Sequence, residues 1–315
     1  MNKNIYISSC EEDGGIYRYV LNNDGSLTFA DVTPMDRPMY TVIYDNKLYV
    51  LLRAPYSDNP FSGLVCCNIN EDGSLSAPDK PISTKGECAC HLYVDGDGVF
   101  CVNYISGSII KMPDKTVTHK GSGVHPTRQS SPHTHFVSVM PDGEHICVTD
   151  LGLDTIFVYT KNLDLVSTAK VPEGHGVRHL AFSDDGKYCF AANELESTLS
   201  VFEVSGTNLE YKYSKSCLPD GFNEKSTIAA VRYSDGRVYV SNRGHDSIAV
   251  FDFADGKLNL AGIYNCGGCE PRDFNIYGDY IVCSNQNSHN LTVIDKNTMQ
   301  IIYEVNDIKS PLCVN

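Results

Sequence analysis

Short runs of alternating apolar and polar residues recur along the whole chain, and none of them carries helical spacing. The stretch from Gly174 to Val204 shows the unit most clearly. VRHLAFS (177–183) alternates like a half-buried strand, Asp185-Gly186 is a hairpin turn signal, and KYCFAAN (187–193) is the partner strand. A tight hairpin turn needs residues that tolerate positive φ, which Asp and Gly do. TLSVFEV (198–204) alternates again, and LEYKYSK (209–215) follows as a fourth run. The unit predicts a four-stranded antiparallel meander.

Its second strand recurs as NIYISS (4–9), KLYVLLR (47–53), VFCVNY (99–104), HICVTD (145–150), KYCFAAN (187–193), RVYVSN (237–242) and YIVCSN (280–285). Copies at intervals of roughly 43 to 52 residues have the size of a propeller blade. A third strand follows every copy, as in GIYRYVL (15–21), TIFVYT (155–160) and NLTVID (290–295). First strands precede only six of them: MYTVIYD (39–45), HLYVDG (91–96), HFVSVM (135–140), RHLAFS (178–183), AAVRYS (229–234) and RDFNIY (272–277). The chain begins directly on a second strand, and SPLCVN (310–315) is left over at its other end. The pattern therefore predicts an all-β, seven-bladed β-propeller of four-stranded antiparallel blades, one domain over residues 1–315. The C-terminal strand (310–315) is expected to join the N-terminal blade as its inner strand, satisfying an otherwise open edge. Long polar loops fall at 54–62, 119–132 and 217–227.

Composition changes this picture little. With 42% hydrophobic and 20% charged residues the chain is globular in type. No apolar run approaches the roughly 18 residues of a membrane helix, and the N-terminus lacks the apolar core of a signal peptide. Thirteen cysteines, an odd number, lie mostly in strand-like segments. Buried free thiols of this kind point to a reducing cytoplasm. A net charge of −14 argues against a nucleic-acid partner. It leaves a small anionic substrate open, because screening over about 8 Å lets local arginines decide. A membrane partner is not expected, and a monomer is the default for a closed ring.

In a meander, the start of strand one and the end of strand two lie at the same end of the sheet. One face of the propeller can therefore be read off. Strand starts contribute Arg37, Cys88, Cys90, His91, His133, His135, Arg178, His179, Arg272 and Asp273. Strand ends contribute Arg53, Asn103, Asp150, Asn193, Glu194, Asn242, Arg243, Asn285 and Gln286. Arginines converging with His and Glu make an anion site, since guanidinium forks match carboxylate and phosphate geometry. Arg178, Glu194, Arg243 and Arg272 fall at one level of successive blades. His133 and His135, two apart, share a side of their strand, while His119, His125 and His145 lie in loops or turns and read as solvated. Any one of these residues also has a plain structural reading, as a bond between neighbouring strands.

Cys266 and Cys269 have CxxC spacing, with Cys88, Cys90 and His91 on the same rim, but a single CxxC is weak support for zinc. No GxSxG elbow occurs, and no Gly-rich loop opens a helix. Neither a metal nor a cofactor is expected.

The segments HPTRQSSPHTHFVSVMPDGEHICVTDLGLDTIFVY (125–159), GHGVRHLAFSDDGKYCFAANELESTLSVFE (174–203), VSNRGHDSIAVF (240–251) and GCEPRDFNIYGDYIVCSNQNSHNLTV (268–293) resemble the seven-bladed β-propeller lactonases. That family includes bacterial 6-phosphogluconolactonase and, more distantly, the fungal carboxymuconate cyclase. The resemblance runs from about Asp45 to the end. It implies a site of His133, Arg178, Glu194 and Arg243 as catalytic residues, with His135, His179, Asn193, Arg272 and Gln286 around the substrate. Val177 stands where the family usually has Pro. The implied reaction is hydrolysis of a small anionic sugar-acid lactone, 6-phospho-D-glucono-1,5-lactone to 6-phospho-D-gluconate in the pentose phosphate pathway, without a cofactor. Glu194 or His133 would be the base, and Arg178 and Arg243 would hold phosphate and oxyanion. Two alternatives stand beside it: a lactonase or cycloisomerase acting on an unphosphorylated carboxylate lactone, and a non-catalytic propeller that binds a protein partner.

Overall fold

The computed structural model describes residues 2–56, 58–306 and 308–315. Among them, the chain forms seven four-stranded antiparallel sheets. Blade 1 begins with Lys3–Ser9, and blades 2 to 7 begin with Pro38–Tyr44, Ala89–Asp95, Thr134–Val139, Val177–Phe182, Thr227–Ser234 and Pro271–Tyr277. Within blades 2 to 7 the strands follow one another outward in chain order. The helical content among the described residues is one 3₁₀ turn, Leu151–Leu153. No described helix is long and apolar enough to cross a membrane.

The leftover C-terminal run closes the ring as the sequence pattern requires. Pro311–Val314 is the inner strand of blade 1, in the order 311–314, 3–9, 15–21, 27–34. It pairs Ile7 with Val314 and Ser8 with Cys313. Tyr6 and Asn315 exchange backbone hydrogen bonds of 2.8 and 3.0 Å. The closure also reaches both neighbouring blades. Asn315 Nδ2 donates to the Thr41 carbonyl of blade 2 (2.6 Å), and the Val314 N–H donates to Asp273 Oδ2 of blade 7 (3.2 Å).

The core lies between blades rather than in one centre. Leu51, Leu92, Val102 and Ile146 of blades 2, 3 and 4 pack in one cluster, and Phe190, Val201, Val238 and Phe251 of blades 5 and 6 in another. Each such fully buried side chain contributes about 1.5–3 kcal/mol relative to exposure.

One irregularity repeats in every blade. Where the inner strand starts, one extra residue is inserted against its partner strand. The pairings skip Met39, Cys90, His135, Arg178 and Arg272 in blades 2, 3, 4, 5 and 7. Leu312 is skipped in the closing strand, and the same shift spans Ala229 and Ala230 in blade 6. A β-bulge breaks the alternation of the strand and re-aims a side chain. Here it turns two successive residues toward the channel: Met39 with Tyr40, Arg178 with His179, and Arg272 with Asp273 all line one small cavity on the axis.

Candidate active site

A cavity of about 460 Å³ opens above this bulge layer. The bulges supply Met39, Cys90, His135 and Arg272, and the ends of second strands supply Glu194, Arg243 and Tyr104. Two of the three long loops complete the wall: 119–132 brings Arg128, and 217–227 brings Lys225 and Ser226. None of the described residues of the loop at 54–62 lines the cavity.

Glu194 is the centre of the charge arrangement. Its side chain is only 5% exposed, and three guanidinium groups converge on it. Arg128 bonds Oε1, while Arg178 Nε and Arg243 Nη2 stand 3.0 and 3.1 Å from Oε2. Blade 6 fixes the two buried forks from behind: Arg178 Nη1 donates to the Ala229 carbonyl (2.6 Å), and Arg243 Nη2 to that of Ile228 (3.0 Å). Burial alone would raise the Glu194 pKa. The charges of Arg243, Arg178 and Arg128 outweigh it and hold the carboxyl well below its ordinary range. Burial and the neighbouring Arg243 lower the Arg178 pKa, against the pull of Glu194.

Arg272 is different. Among the described residues it has no carboxylate partner, and its one side-chain bond is a long one, Nη1 to Gln286 Oε1 at 3.3 Å. Burial and the charge of Arg243 push its pKa down, against the pull of Glu194.

The structure brings together Arg178, Glu194, Arg243, Arg272 and His135, and it separates others of the expected set. His133 is not in the cavity wall. It stacks on Tyr104 at 4.5 Å and donates Nδ1–H to the Tyr104 carbonyl (3.0 Å), while its backbone N–H donates to Asp150 (2.8 Å). The shared side expected for His133 and His135 fails because the bulge at His135 intervenes. His179 lies one layer below, its ring 5.3 Å from His91 and 5.2 Å from His135, with neither nitrogen hydrogen-bonded. Burial, then Arg178, hold the imidazoles of His135 and His179 neutral, with pKa values well below 6.5. Asn193 is a strand tie, donating to Thr198 (3.0 Å) and Ser200 (2.7 Å). Gln286 is not in the cavity wall; its side chain bonds Arg272 and its N–H the Glu270 carbonyl.

The expectation of a solvated His119 is corrected. Its ring is buried, with Nδ1 2.6 Å from Asp150 Oδ2 and Nε2 2.8 Å from the Tyr159 hydroxyl. This pair, with the bond from His133 N–H to Asp150, ties down the loop that carries Arg128. His145 is likewise engaged, at 2.7 Å from Asp142.

Arg128, Tyr104 and Glu270 are functional residues that the sequence pattern does not single out. Arg128 stands in the polar run 119–132, where an Arg-Gln pair inside the HPTRQSSPH motif is the signal that could have marked it. Cys266 is buried and Cys269 exposed. Among the described residues no group of three or more His, Cys, Asp and Glu is placed to hold a metal ion.

Comparison with known proteins fits this geometry. The model of the lactonase, 7-bladed beta-propeller family matches residues 4–315. The chain belongs to the seven-bladed β-propeller lactonase family. The match extends the resemblance through the first blade as well. An uncharacterised protein of Staphylococcus aureus is 31% identical over 320 residues, covering 93% of each chain. The crystal structure of a Lactobacillus plantarum protein superposes with a TM-score of 0.90 at 26% identity, over 100% of this chain and 99% of that one. The periplasmic gluconolactonase PpgL of Pseudomonas aeruginosa does so with a TM-score of 0.90 at 25% identity and the same coverage.

Proposed function

We propose that this lactonase-family propeller hydrolyses a phosphorylated aldonolactone, with 6-phospho-D-glucono-1,5-lactone as substrate and 6-phospho-D-gluconate as product. The observation that carries this reading is the guanidinium of Arg272, which has no carboxylate partner among the described residues, in a cavity whose other arginines, Arg128 and Arg243, are already shared with Glu194. A phosphate supplies the missing counter-charge and matches the fork. Arg243, held rigidly by Glu194 and by the Ile228 carbonyl, then faces the lactone carbonyl, with Arg178 behind it on Glu194. Fixed donors aimed where charge develops stabilise the oxyanion without reorganisation. In this reading Glu194 holds the forks and does not take a proton, because three cations keep it ionised. His135, neutral and lining the cavity, offers a hydrogen bond to a sugar hydroxyl.

A second reading, hydrolysis of unphosphorylated gluconolactone, is favoured by the likeness to the Pseudomonas enzyme over the whole chain. The reaction needs no cofactor in either case, and the proposed enzyme is a monomer. Its thirteen free thiols suit a reducing compartment.

The test is the initial rate of hydrolysis of freshly made 6-phosphogluconolactone, coupled to 6-phosphogluconate dehydrogenase and corrected for spontaneous hydrolysis. A rate well above background that Glu194→Gln abolishes supports the reading. No acceleration of this substrate, with acceleration of the unphosphorylated lactone, replaces it by the second.

A further inference from the structure

Two carboxylates line the cavity, and they are held in opposite ways. Glu194 is saturated by three guanidinium groups. Among the described residues Glu270 has one ion-pair partner, Arg243 Nη1 at 3.5 Å from Oε1, and its side chain is 26% exposed. No described side chain donates a hydrogen bond to it at closer range. Arg243 thus bridges the pair, Nη2 toward Glu194 and Nη1 toward Glu270.

The backbone at Glu270 is fixed in an unusual conformation. Its φ is +62°, in the left-handed region. Its N–H donates to Asp246 Oδ1 (2.8 Å) and its carbonyl accepts from Gln286 N–H (3.0 Å). The residue leading into the inner strand is left-handed in other blades too: Arg37 (φ +48°), Cys88 (+56°), Gly176 (+68°) and Ser310 (+41°). At Gly176 blade 5 uses the residue type this conformation favours. Blade 7 places a glutamate there instead, at the edge of the cavity.

We propose that Glu270 is the general base that activates water for lactone hydrolysis in this cavity, an inference that rests on the reading of the protein as a lactone hydrolase. With the lactone carbonyl against Arg243, a water beside Glu270 approaches the carbonyl carbon. Glu270 takes one proton as the water oxygen forms its bond to carbon, and the carbonyl π pair moves to oxygen. Collapse of this oxyanion breaks the ring C–O bond. The leaving alkoxide takes the proton back from Glu270, giving the open hydroxy acid and the starting carboxylate. One water is consumed, and no other reactant is needed.

Glu270→Gly separates function from structure, because glycine relieves the left-handed strain and leaves space for a small acid. The variant is expected to melt no lower than the wild type. Its kcat should fall by about 10²- to 10⁴-fold, the usual contribution of a general base, with KM little changed. Sodium formate should restore part of the lost kcat in Glu270→Gly and none in Glu194→Gln. A Glu270→Gly enzyme with kcat close to wild type overturns the proposal, as does a slow variant that formate does not rescue. If the wild type accelerates hydrolysis of neither gluconolactone nor its 6-phosphate, the functional reading fails, and the base with it. An active wild type beside an unimpaired Glu270→Gly sinks the base alone.

Discussion

Three guanidinium groups on one carboxylate make Glu194 a structural hub before it is anything else. Removing its charge leaves the buried Arg178 without a carboxylate partner and Arg243 with only the longer contact to Glu270, and breaking a buried pair of this kind costs about 3–5 kcal/mol. Glu194→Gln should therefore lower the melting temperature as well as activity, measured on the same preparation by calorimetry and initial rates. Arg272→Gln should behave differently, since the arginine has no carboxylate partner to strand. Its melting temperature should stay level or rise. Inorganic phosphate, which should stabilise the wild type by mass action, should no longer do so in the variant. Equal stabilisation of both proteins by phosphate would remove Arg272 from the anion site.

At the scale of the strand, the bulge in each blade is what builds the site. Strand identity was legible in the sequence: GIYRYVL, TIFVYT and NLTVID occupy the strands they predict, and SPLCVN closes blade 1. Register was not. Alternation places Arg178 and His179 on opposite sides, whereas the bulge turns both inward. The same cause separates His133 from His135. An inserted residue leaves no compositional mark, because Met39, Cys90, His135, Arg178, Arg272 and Leu312 share no side-chain type. Arg128 escaped for another reason, since it arrives on a loop whose path depends on the buried His119–Asp150 pair. The closing strand is itself testable. Deleting residues 310–315 opens an edge in blade 1 and removes the ties from Asn315 to Thr41 and from Val314 to Asp273. The truncated chain should fail to give a cooperative thermal transition. A sharp transition near the wild-type temperature would mean that the closure contributes little.

Across the whole molecule, the channel below the cavity sets a pH limit. His91, His135 and His179 lie within it, and burial holds all three pKa values well below 6.5. The native protein leaves these rings neutral, while the unfolded chain protonates them as pH falls through 6.5. Stability is therefore full above that value and declines below it. Each histidine approaches a limiting slope of about 1.4 kcal/mol per pH unit only well below 6.5, and the three act in the same direction. Glu194, with its lowered pKa, adds to the loss only below its ordinary value of 4.5. Chemical denaturation between pH 7 and 5 should show this slope, and His179→Phe should reduce it by about one third. A flat profile over that range would show that the channel histidines titrate normally.

The most direct test of how cavity and charge combine is the ratio of kcat/KM for 6-phosphogluconolactone over gluconolactone, in the wild type and in Arg272→Gln. A phosphate seated on Arg272 requires a ratio well above one in the wild type that collapses in the variant, chiefly through KM for the phosphorylated substrate. A wild-type ratio near or below one, or a high ratio that survives Arg272→Gln, contradicts it.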